Sequence, residues 1–182
     1  MDDERLGRLR TVLPPPDRPV EVPDPGAWEE VERALGIAFP ADYKSFVATY
    51  GTGSVDDFLL VLNPFSARRA LRVQDFGMEM LRVLRENRAN GTEEPPYPIH
   101  PEPGGLFPWG ATDNGDWCYW VTEPAVDPDR WPVAVNMSRG PDWFNHPGPL
   151  IAFLADLLEG VIRVPFLPDD FPSDEPVFRQ LD

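Results

Sequence analysis

At 182 residues the chain suits one domain, and 42% hydrophobic with 12% aromatic residues supplies a core. Its 31 acidic residues against 16 basic ones give a net charge of −15, which excludes binding to nucleic-acid phosphates or anionic membranes through a basic surface and favours basic partners. No apolar run reaches the about 18 residues that a membrane-spanning helix needs.

The N-terminal "MDDERLGRLR" is charged and has no apolar stretch behind it, so it does not read as a signal peptide, and a cytoplasmic location is expected. The single cysteine, Cys118, excludes an internal disulfide. Lys44 is the one lysine beside 15 arginines, a skew that points to GC-rich coding and a bacterial source. The 24 prolines gather in residues 14–25, 95–103 and 165–176, which read as extended connectors because proline offers no amide donor.

Between these connectors, helices declare themselves by their ends. Asp24 can cap a helix opening at Pro25, with Trp28, Val31 and Leu35 on one face and Gly36 as its stop. Pro40 opens a second helix, in which Phe39, Tyr43, Phe46, Val47 and Tyr50 follow helical spacing and Gly51 forms the exit. A third helix is predicted within residues 67–89, with Val73, Phe76, Met80, Leu81 and Leu84 as its apolar stripe. A last helix, "LIAFLADLLEG", ends at Gly160. Residues 58–62 and the alternating "RWPVAVN" read as strands. "LFPWG" and "WCYWV" read as a hairpin whose turn holds Asn114 and Gly115. Trp117, Tyr119 and Val121 would face one side and Cys118 and Trp120 the other, so the sheet is covered on both faces or exposes one for binding. The order of elements predicts an α+β fold with one domain and a mostly antiparallel sheet.

No residue pattern reads as catalytic. Asp113 and Asp116 lack the donor spacing of a calcium loop and read as turn-stabilising aspartates. His100 and His146 stand far apart and outside any paired-ligand motif, so no metal and no cofactor is expected. Cys118 sits among aromatic residues and reads as a buried inert thiol. "GTGS" (51–54) ends a helix rather than opening one, unlike a phosphate-cradling loop. Glu32 and Asp42 could form an acid pair, but read as helix-surface or capping residues.

The succession Trp28, Glu32, Gly36, Pro40, Asp42, Tyr43, Tyr50, Gly51, Gly53, then Trp109, Gly110, Gly115, Asp116 and Trp120, resembles the SUKH superfamily in its SMI/KNR-type branch. The resemblance covers residues 25–163 and leaves a Pro-rich N-terminal segment, 1–24, and an acidic Pro-rich tail, 164–182, outside it. It implies helices packed around an antiparallel sheet and a non-enzymatic binding role. Many bacterial members are immunity proteins that bind and neutralise protein toxins, often nucleases, and fungal relatives regulate cell-wall assembly.

An acidic immunity protein for a basic, nuclease-like toxin therefore leads, with Asp56, Asp57, Asp113, Asp116, Trp109 and Trp117 as candidate partner contacts. Trp28, Glu32, Gly36, Pro40, Asp42, Tyr43, Gly51, Gly53, Gly110, Gly115 and Trp120 are expected to serve the fold. A general interaction scaffold without a toxin is the second reading. A carboxylate-pocket enzyme or small-ligand binder is the third.

Overall fold

The computed structural model describes residues 2–181. Among these, one seven-stranded sheet carries five α-helices on its faces. The helices are α1 Asp2–Val12, α2 Ala27–Leu35, α3 Ala41–Tyr50, α4 Met78–Ala89 and α5 Leu150–Leu158. The strands are β1 Gly53–Val55, β2 Leu59–Val61, β3 Leu106–Thr112, β4 Trp117–Val121, β5 Val133–Asn136, β6 Trp143–His146 and β7 Phe178–Gln180. They lie in the order β6-β5-β4-β3-β2-β1-β7, and every neighbouring pair is antiparallel. The first six form a meander, and the last returns to the edge beside β1. This is the α+β architecture that the segregated helices and strands predict.

Local chemistry sets the ends of the elements. α2 stops where Gly36 turns left-handed (φ 70°) and its amide donates to the Glu32 carbonyl. It starts two residues later than the Asp24–Pro25 signal suggests. There the Asp24 carbonyl accepts the Ala27 amide and makes a turn, and Glu29 and Glu30 occupy the first helical turn. The stripe expected within 67–89 is wound in two parts. A wide π turn, Val73–Gly77, carries Val73 and Phe76 directly into α4, which carries Met80, Leu81 and Leu84.

Both faces of the sheet are covered. On the first, Trp120 meets Tyr43 of α3 at 5.0 Å between ring centroids, and Phe39 lies 6.0 Å from both Phe107 and Trp120. Phe144 of β6 packs on Phe153 of α5 on the same side. On the second face Pro108 lies under the π turn near Gly77, and Tyr119 stacks on Trp143 at 5.9 Å. Tyr119 and Trp120 are both fully buried. A bulge at Trp109, between the Pro108–Tyr119 and Gly110–Cys118 pairs, aligns the turn end of the hairpin.

The two flanks are tied into this core. α1 buries Leu6 and Leu9 against α3 and α5, Leu13 just beyond its end is buried too, and each buried leucine is worth about 1.5–3 kcal/mol. Arg8 fastens it to α5 through Asp156 (2.7 Å) and Glu159 (2.5 Å), and the Tyr50 hydroxyl donates to the Leu13 carbonyl. At the other end β7 pairs with β1, Phe178 packs on Phe46 and Tyr50, and Phe171 packs on Phe58. Proline content alone made residues 165–176 a connector, yet Leu167 and Phe171 within it are buried. Proline constrains the backbone and says nothing about where the side chains between prolines go.

Candidate functional site

The six sequence-nominated contacts fall into different surroundings. Asp56 and Asp57 are the central residues of the β1–β2 turn, at φ 52° and 54°, closed by the Phe58 amide on the Val55 carbonyl. Aspartate is among the few residues that tolerate this left-handed backbone. The Asp56 carboxylate accepts the amides of Val177 (2.8 Å) and Ser173 (3.0 Å), and Asp57 pairs with Arg179 at 2.7 Å. Both acids are thus engaged in holding the C-terminal segment. Asp56→Gly keeps the turn backbone and removes this clamp. Urea unfolding is expected to show a loss of about 1–3 kcal/mol, with faster hydrogen exchange at the Ser173 and Val177 amides. Unchanged exchange at those two amides would refute the clamp.

Trp109 requires a correction. Its side chain is fully buried against Phe153 of α5, so it offers no face to a partner. Asp116 is also buried. It accepts the Thr112 hydroxyl at 2.7 Å and the Ser138 amide at 2.9 Å, locking the β3–β4 turn. Asp113 is exposed at that turn and Trp117 is half-buried beside it, so these two retain accessible surface.

The second face of the sheet ends in a cleft of ≈680 Å³ between the segment after α4 and the β5–β6 connection. Glu93, Glu94, Asn87, Met137 and Trp143 are among its walls. Glu93 is half-buried and held by two amides: its Oε1 accepts from Asn136 (3.0 Å) and its Oε2 from Asn87 (3.2 Å). Asn136 is itself fixed, because its Oδ1 accepts the Trp117 amide at 2.9 Å. Among the described residues Glu93 forms no ion pair, so its charge is oriented without being neutralised. Tyr119 lies fully buried behind Trp143, and its hydroxyl has no hydrogen-bond partner among the described residues. Burial, and then the charges of Glu93 and Cys118, push that phenol well above its usual range. Glu93 was missed in the sequence because the asparagines that hold it lie 6 and 43 residues away.

The family model described as SMI1-KNR4 cell-wall (SUKH_6) matches residues 26–146. The chain belongs to the SUKH superfamily. Comparison with curated proteins and with solved structures finds no match. Membership in SUKH fits a protein of the immunity or SMI1-KNR type.

In this SUKH chain the recurrent residues are occupied by packing. Trp28 meets Phe39, Tyr43 and Phe65 edge-on at 4.8–5.7 Å. Glu32 accepts the Phe39 amide at 2.7 Å and pairs with Lys44 at 2.6 Å. Asp42 is buried and accepts the Ile151 amide at 2.9 Å, so it caps α5 from 109 residues away. The Tyr43 hydroxyl donates to the Leu62 carbonyl. At Gly53 a β-carbon would sit 2.3 Å from the Arg179 carbonyl oxygen, so β7 can approach only a glycine there.

The remaining reactive groups are also engaged or shielded. Cys118 is buried, and burial followed by the charge of Asp116 pushes its thiol far above its usual range, away from thiolate chemistry. His146 is buried and its Nε2 lies 3.0 Å from Asp156. Burial works against the charge on Asp156, but bonds from His146 and Arg8 outweigh it and hold the carboxyl below its usual range. Among the described residues no three His, Cys, Asp or Glu side chains gather as a metal ion would require. Among the described residues no helix is long and apolar enough to cross a membrane.

Proposed function

We propose that this SUKH protein is a cytoplasmic bacterial immunity protein that neutralises a basic, nuclease-like protein toxin by binding it and catalyses no reaction of its own. The observation that supports the reading is the net charge of −15 on a member of this superfamily. A nuclease must present a cationic groove to its phosphate substrate. An acidic protein is drawn to such a groove, associates with it quickly and blocks it. Of the sequence-nominated contacts, Asp57 and Asp113 are exposed and Asp56 and Trp117 half-buried, so these four present surface to a partner.

The test is co-expression with the product of the neighbouring gene, scoring survival and co-purification together. Rescue of cells from a toxic neighbour, with recovery of a stoichiometric complex, is the expected result. A complex with a harmless neighbour would favour an interaction scaffold of the SMI/KNR type. Neither rescue nor a complex would overturn the toxin reading for that pair.

A further inference from the structure

We infer that the cleft between Glu93 and Trp143 is a receptor for a single arginine side chain presented by the protein partner. This rests on the binding role proposed above and adds the chemistry of its contact. A carboxylate offers about four lone-pair positions. Asn136 and Asn87 use one on each oxygen of Glu93, leaving each oxygen able to accept a further bond. That geometry suits the planar two-pronged guanidinium better than the point charge of an ammonium.

Trp143 supplies the second element, a half-buried indole on the cleft wall over which a guanidinium can stack. Its ring is braced from behind by Tyr119. Glu94 adds a second negative charge at the mouth. The asparagine clamp fixes Glu93 before anything arrives, so little side-chain freedom remains to be lost on binding.

The probe is acetyl-arginine methylamide, titrated into the full ¹⁵N-labelled chain, with the citrulline analogue as a neutral isostere and the lysine analogue as a second cation. The expected result is a saturable shift of the Trp143 indole signal and of the Thr92, Glu93 and Glu94 amides. The arginine probe should bind at least about tenfold more tightly than the citrulline probe and more tightly than the lysine probe. Glu93→Gln, which preserves shape, and Trp143→Leu should each weaken it by about tenfold while the remaining signals keep their positions. If Trp143→Leu fails to fold, Glu93→Gln alone decides. Equal shifts from citrulline, shifts scattered over all surface carboxylates, or an unaffected Glu93→Gln variant would overturn the site. Rescue from a toxin without an arginine response removes the cleft and leaves the immunity reading. An arginine response without rescue by any neighbouring gene removes the toxin and leaves the cleft.

Discussion

Trp109→Ala is expected to lower the unfolding free energy by about 3–5 kcal/mol in urea titration, the largest loss among the residues considered as partner contacts. The indole is fully buried on Phe153, and truncation would open a cavity at the joint between β3 and α5. Its Nε1–H has no partner among the described residues, so Trp109→Phe removes a buried unpaired donor as well as part of the ring. That variant should lose far less stability than the alanine. A partner-facing tryptophan would behave differently, with both variants folding normally and binding weakening. Normal stability of Trp109→Ala would therefore contradict the burial described here.

Gly51→Ala should cost about 3 kcal/mol or more, from two sources that act together. Gly51 has φ 70° and ψ −144°, a conformation that residues with side chains rarely adopt. A β-carbon there would also lie 2.1 Å from the carbonyl oxygen of Val20, which forms a parallel bridge with Gly51. Relief requires the segment around Val20 to move away, and with it the bond from the Val20 amide to Gln180. Hydrogen exchange should accelerate at Val20 and at Thr52, whose amide donates to the Val20 carbonyl. A variant as stable as the parent, with protection at Thr52 intact, would refute the close approach. Gly51 lies inside the family match, whereas the Val20 it accommodates precedes residue 26.

What the sequence made legible follows from how far each residue's partner lies along the chain. The β3–β4 hairpin was readable because Asn114 and Gly115 carry their own turn preference, and α3 because its apolar spacing runs from Pro40 to Gly51. α1 was not predicted although Leu6, Leu9 and Leu13 stand at helical intervals, because the charges between them leave no continuous apolar stretch. β7 is three residues long, too short for alternation to appear, and its place is set by pairing with β1 far upstream. The turn role of Asp116 was readable because Thr112 is four residues away, whereas the bonds of Asp116 to Ser138 and of Asp56 to Ser173 and Val177 were not, because those partners are remote in sequence. The Glu93 clamp escaped for the same reason. Trp109 shows the same error in an apolar residue: aromatic residues on both faces of the hairpin leave an exposed side open until α5 is known to cover it.

Of all these expectations, the salt dependence of partner association bears most directly on the acidic-binder account. The partner recovered by co-expression would be mixed with the chain by stopped flow, from ~0.01 M to ~1 M salt, where the screening length shrinks from ~30 Å to ~3 Å. The account predicts an association rate that falls by at least about tenfold across that range, with a dissociation rate that changes little. An association rate indifferent to salt would contradict it.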